Sequence, residues 1–245
     1  MSTLVEGRNA VIEALRAGVP VTAILVASGS EGRPIDEVRR LASERGVSVR
    51  VVSRSVLEER SVRGAHQGVI AEVASFDYAS FDDVLRRVGE RDRSLVVVLD
   101  HVTDEGNLGA VARAAEVAGA DALLIPKARS AGVGPVAHKT SAGAVSHLAI
   151  IREPNLARAL ERLKGAGYWI AGASASAEDL FWDAPLDGRL VIVLGSEGSG
   201  LSRLTERTCD FLVGLPVAGH VDSLNVAQAA TVLAFEWVRR GHAKP

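Results

Sequence analysis

Cysteine is almost absent: Cys209 is the one thiol in 245 residues. A lone thiol builds no internal disulfide framework and excludes a multi-cysteine metal centre. The six histidines show no metal-ligating spacing, so no metal is expected. Aromatic residues make up only 4% of the chain, too sparse for a base-stacking platform of the kind that grips single strands. No apolar run approaches the roughly 20 residues needed to cross a bilayer. The first ten residues, MSTLVEGRNA, contain no apolar core of a secretory signal, so a soluble, cytoplasmic chain is expected. Neither sign of charge is in excess. The 28 basic and 30 acidic residues leave a formal net charge of −2, which excludes a strongly basic nucleic-acid glue and leaves a local basic patch open.

What is present is a 47% hydrophobic composition over a length that suits two modest domains. Residues 6–17 read as a helix stopped by Gly18 and Pro20, residues 21–27 as a strand, and residues 35–45 as a helix closed by Gly46. Strands at 47–52 and 68–73 flank a short helix that Ser55 and Glu58 open with capping-box spacing. Residues 1–75 therefore read as a small α/β domain. Residues 76–93 carry four basic and five acidic residues and read as a solvated linker with a short helix around 81–88. Beyond it, LVVVLD (95–100) and LVIVLG (190–195) are β-branched runs of the kind buried on both faces of a parallel sheet. Weaker strand candidates lie at 122–125, 148–151, 168–171 and 211–215, with helices at 108–118, 156–164 and 226–240.

In parallel sheets ligands bind beyond the carboxyl ends of the strands, and three such ends carry polar, glycine-rich sequence. After LVVVLD comes HVTDEGNLG. There Leu108, Val111, Ala115 and Ala118 form the buried stripe of a helix. Arg113 lies off that stripe, with Gly109 one turn before it leaving room for an approach, and Asn107 stands near the helix start. The glycine fingerprint of a dinucleotide site is missing here, which argues against a nicotinamide dehydrogenase. After LVIVL comes GSEGSGL, where Glu197 sits among three glycines. A carboxylate repels phosphate but can receive a donor. After FLVGL comes PVAGHVDSLNV, where Ser223 and Asn225 are candidate helix caps or ligand-facing groups.

Together, N-L-G-A-x-x-R-x-A, G-S-E-G-x-G-L and L-P-V-x-G…S-L-N-V resemble the three motifs of the SpoU-type (TrmH-like) RNA ribose 2′-O-methyltransferases of the SPOUT superfamily. EGRNAVIEAL and AHQGVIAEV in the front third are similar to the L30e-like RNA-binding domain of one branch, the 23S rRNA guanosine 2′-O-methyltransferases. The resemblance implies an α/β fold in two domains, 1–75 binding RNA and 94–245 forming a trefoil-knotted parallel sheet. It implies S-adenosylmethionine as cofactor, a homodimer, and a guanosine in the peptidyl-transferase P loop as target. A transfer RNA guanosine, an rRNA adenosine, or a catalytically idle RNA-binding factor are the competing readings.

By position, Asn107, Arg113, Glu197, Ser223 and Asn225 match the family's catalytic groups. Gly195, Val217 and Leu224 match positions whose backbone lines the cofactor. A guanidinium stays charged at pH 7, so Arg113 is expected to grip the target phosphate and stabilise charge on the 2′-oxygen. Glu197 is expected to orient Arg113 or neighbouring donors. Asn107, Ser223 and Asn225 are expected to hold ribose and cofactor. Arg8, Asn9 and Arg63 are candidate RNA contacts, and His66 reads as a structural residue at a strand entry. Two positions depart from the family pattern: Glu105 stands where proline is common, and Ala227 where serine is common.

Overall fold

Short apolar strands alternating with amphipathic helices build two units, Met1–Asp77 and Tyr78–Pro245, in a computed structural model that describes residues 3–62 and 64–242. The first unit runs β1 (Thr3–Glu6), α1 (Arg8–Arg16), β2 (Val21–Ala27), α2 (Arg33–Glu44), β3 (Ser48–Val52), α3 (Arg54–Arg60) and β4 (Val69–Val73). Its sheet has the order β1-β4-β2-β3, with β2 and β3 parallel and β4 antiparallel to both β1 and β2. Val11 and Leu15 of α1 and Ile35 and Val38 of α2 bury their stripes against Ile24, Val26 and Ala71.

Three expectations change here. Residues 3–6 form a strand that the sequence left unassigned, because four residues paired antiparallel with β4 carry too little pattern. The helix behind it therefore starts at Arg8 and not at Glu6. The proposed capping box does not form: Ser53, not Ser55, precedes α3, and its hydroxyl meets that of Ser55 at 2.9 Å instead of capping the helix.

The second unit runs α4 (Phe81–Val88), β5 (Ser94–Asp100), α5 (Glu105–Val117), β6 (Ala122–Pro126), α6 (Pro135–Thr140), a 3₁₀ turn (Ala144–Ser146), β7 (Ala149–Glu153), α7 (Leu156–Gly165), β8 (Trp169–Ala173), β9 (Arg189–Gly195), α8 (Arg203–Thr208), β10 (Phe211–Val213) and α9 (Val226–His242). Its six strands are all parallel, in the order β10-β8-β9-β5-β6-β7. Every residue of β5 is buried, as its unbroken apolar run requires. Val96 and Val98 face a core shared with Val191, Val193, Phe81, Val84 and Leu160. Each such side chain contributes about 1.5–3 kcal/mol of burial.

The charged stretch 76–93 is thus not solvated throughout. Phe81, Val84 and Val88 of α4 are part of this core, and Ala79 pairs with Ile151 as a parallel bridge. On the other face α5 packs against α6 and α9. The register aligns Asp100 with Gly195, so two of the polar strand ends leave the sheet side by side. No helix among the described residues is long and apolar enough to cross a membrane.

Candidate active site

Three loops meet at the carboxyl edge of the second sheet, and each delivers one polar side chain. Asp104 precedes α5 and caps it, its Oδ1 accepting from the Asn107 N–H at 2.6 Å, which fixes Asn107 in the first helical turn. After β9 the chain makes a tight turn. Ser196 and Gly200 exchange backbone hydrogen bonds of 3.1 and 2.9 Å, and Glu197 lies exposed on that turn. At the third loop Asn225 caps α9, its Oδ1 accepting from the Ala227 N–H at 2.9 Å. That leaves its amino group free to turn inward. Asn225 Nδ2 donates to Glu197 Oε1 at 2.7 Å and to Asn107 Oδ1 at 2.9 Å, and Asn107 Nδ2 donates to the same Glu197 Oε1 at 3.0 Å. One carboxylate oxygen thus ties together residues 90 and 28 positions apart in sequence.

The supports beneath this cluster were only partly visible in the sequence. A Cβ on Gly195 would lie 2.1 Å from the carbonyl carbon of Gly200, so the turn that carries Glu197 folds back onto a position only glycine can occupy. Asp100, buried at the end of β5, accepts from the Ser202 N–H at 2.7 Å and pins the far side of the same turn. Its signal was a carboxylate ending the apolar run LVVVL. Gly109 was read as leaving room for an approach, and the occupant of that room is α6: a Cβ there would meet Thr140 Oγ1 at 2.0 Å and the Ala137 carbonyl oxygen at 2.6 Å. Glu105, in place of the more usual proline, has a use of its own. Its Oε1 accepts from the Ala137 N–H at 2.9 Å and ties α6 to the start of α5.

The remaining expected residues stand apart from the cluster. Arg113 is exposed on α5 and its side chain makes no hydrogen bond or ion pair among the described residues, so Glu197 orients the two amides here and not Arg113. Ser223 is exposed in the loop before α9 and, unlike Asn225, caps nothing. Val217, Val221 and Leu224 in that loop are 49%, 74% and 46% exposed. Residues 215–224 make no backbone hydrogen bond among the described residues. Arg63 lies outside the described residues, and His66 is buried with its Nδ1 accepting from the Gly68 N–H at 3.0 Å. Burial lowers the His138 imidazole below its ordinary value, opposed by the nearby Glu105. Burial likewise pushes the Cys209 thiol up to about 12, leaving it a neutral packing group. Among the described residues no group of three or more His, Cys, Asp or Glu is placed to hold a metal ion.

A doubly covered parallel sheet with a carboxylate and two amides converging at its carboxyl edge defines an α/β protein with its polar site in the usual position for that class. The chain belongs to the SpoU rRNA Methylase family, whose model matches residues 94–235, while residues 4–79 match the model for RNA 2′-O ribose methyltransferase substrate binding. A Staphylococcus aureus protein assigned to the TrmH family of tRNA/rRNA methyltransferases is 38% identical over 241 residues, covering 98% of this chain and 97% of that one. The SpoU methyltransferase AviRb of Streptomyces viridochromogenes, solved in complex with AdoMet, superposes with a TM-score of 0.70 at 24% identity, covering 100% of this chain and 92% of that one. An AdoMet-bound rRNA methyltransferase of Sinorhizobium meliloti superposes with a TM-score of 0.64 at 25% identity, covering 99% and 88%.

Proposed function

We propose that this chain transfers a methyl group from S-adenosylmethionine to the 2′-hydroxyl of a guanosine in 23S rRNA, in the peptidyl-transferase P loop. The observation that carries the reading is the single carboxylate oxygen of Glu197 held by Asn107 and Asn225, which joins all three family motifs at one point. The cofactor fits the residues beside it. Exposed Val217, Val221 and Leu224, on a loop whose residues 215–224 make no backbone–backbone hydrogen bond among the described residues, suit a purine and the methylenes of a methionine chain, which want apolar faces and backbone partners. Gly195, Val217 and Leu224 would line the cofactor through their backbone. When bound, S-adenosylmethionine supplies an electrophilic methyl group on a sulfonium.

The chain's own groups then have to orient a ribose and manage one proton and one developing negative charge. Asn107 and Asn225 present a preset pair of amides, and Glu197 holds them in one geometry. Ser223 adds a hydroxyl from the same loop. Arg113, exposed and unpaired among the described residues, would meet the target phosphate and stabilise the charge growing on the 2′-oxygen. The reading takes in the trefoil knot of the family. The strand order β10-β8-β9-β5-β6-β7 is consistent with it. It also takes in a homodimer, in which exposed apolar groups such as Phe235 on α9 would find cover.

RNA affinity is assigned to the first unit. Strands β1, β2 and β3 run parallel to one another, so α1 and α2 start at one edge of the sheet. Arg8 and Asn9 stand there with Arg33, whose side chain makes no hydrogen bond or ion pair among the described residues. A transfer RNA substrate is the second reading, favoured by relatives assigned to tRNA/rRNA methyltransferases. Incubating the protein with labelled cofactor and either 23S rRNA or tRNA separates the two. Label in 23S rRNA is expected. Label confined to tRNA contradicts the rRNA assignment.

A further inference from the structure

One strained residue at the same edge has no place in the mechanism so far. His101 follows β5 with φ +59°, a left-handed conformation uncommon outside glycine. In extended backbone, neighbouring side chains point to opposite faces of a sheet, so adjacent Asp and His side chains would not meet. The left-handed kink brings them together: His101 Nδ1 lies 2.5 Å from Asp100 Oδ1. The other oxygen, Asp100 Oδ2, accepts from Ser202 N–H at 2.7 Å, on the far side of the turn that carries Glu197. The Asp100 side chain is fully buried, while the His101 side chain is 31% exposed. Backbone strain of this kind costs on the order of 1–3 kcal/mol and collects at functional sites.

We propose that His101 is the group that takes the ribose 2′-hydroxyl proton, with Asp100 as its positioning partner. A buried carboxylate accepting from Nδ1–H fixes the tautomer and leaves the Nε2 lone pair as the acceptor. The other carboxylates near this edge each hold a structural hydrogen bond through one oxygen. Asp104 caps α5, Glu105 caps α6, and Glu197 Oε1 receives two amides. His220 and Asp222 lie exposed on the loop before α9, with no partner among the described residues to fix an orientation. Arg113 serves as the charge stabiliser. In the step itself, His101 Nε2 binds the hydroxyl proton. The oxygen keeps the O–H electron pair and shares it with the methyl carbon. The carbon–sulfur bond breaks with its pair passing to sulfur, and the imidazolium later returns its proton to water.

This inference rests on the proposed methyl transfer, and its test has two readouts. In the full-length protein without cofactor, long-range spectra of ¹⁵N-labelled histidine should show the His101 proton on Nδ1 and a bare Nε2. A proton on Nε2 overturns the proposal. The second readout is His101→Gly, which suits the left-handed backbone. It should lower turnover on RNA at least about 100-fold while calorimetry shows cofactor affinity within about threefold, and added imidazole should restore part of the rate. Turnover within about threefold of the parent, or a loss that imidazole does not relieve, overturns it. If that variant does not fold, His101→Asn, which also tolerates positive φ, is held to the same limits of turnover and affinity. A parent protein that binds cofactor yet methylates no RNA would instead contradict the proposed function itself, whatever the tautomer of His101.

Discussion

Asn225 works with both ends of one amide: its oxygen caps α9 and its nitrogen binds Glu197 and Asn107. Asn225→Asp separates these duties, because a carboxylate still caps the helix but faces Glu197 with a like charge. It should cost little in thermal stability and at least about tenfold in turnover, the scale of a lost charge-assisted hydrogen bond. A variant with unchanged turnover would remove Asn225 from the site. At this scale the sequence exposed the right residue types, since Asn107, Glu197 and Asn225 follow strand ends, where parallel sheets bind their ligands. It could not separate Asn225 from Ser223, both of them good caps, nor pair Glu197 with amides instead of Arg113. Those choices depend on which loop reaches which across the sheet edge. His101 escaped notice because the residue after a strand looks like any turn entry until its φ is known.

Elements followed the same logic. β5 and β9 were legible because burial on both faces demands an unbroken β-branched run. α6 was not: its six residues follow a Gly-Pro step, and no amphipathic period can develop over so short a length. Its contact with α5 is testable at Gly109, where alanine would place a Cβ 2.0 Å from Thr140 Oγ1 and 2.6 Å from the Ala137 carbonyl. Gly109→Ala should destabilise the protein by about 1–3 kcal/mol, the usual cost of overpacking, read as a lower midpoint in urea. An unchanged midpoint would mean that α6 moves aside freely. The same helix carries a pH dependence. His138 is buried and its imidazole is lowered in the folded state. The unfolded chain therefore takes up the proton first, and this share of stability is full above about pH 6.5 and declines as pH falls below it. His138→Gln should shrink the drop in melting temperature between about pH 7.5 and about pH 5.5. An identical drop in both proteins would assign the acid sensitivity elsewhere.

For the molecule as a whole, near-neutral charge and few aromatics first argued against nucleic-acid binding by bulk attraction. What they exclude is narrower: a binder that relies on net charge or stacking. Division into two units, one matching a substrate-binding model and one a methylase model, allows RNA to be recognised by a dedicated domain. Residues 78–245 expressed alone should retain cofactor binding and lose most of their RNA affinity relative to the full chain. Equal RNA affinity would contradict the assignment of the first unit. The chemistry is tested most directly by methylating RNA with labelled cofactor, digesting it to nucleosides and identifying the product. Label in 2′-O-methylguanosine from 23S rRNA, lost in Arg113→Ala, is the expected result. Label on a base, or full activity in Arg113→Ala, would contradict ribose methylation at this site.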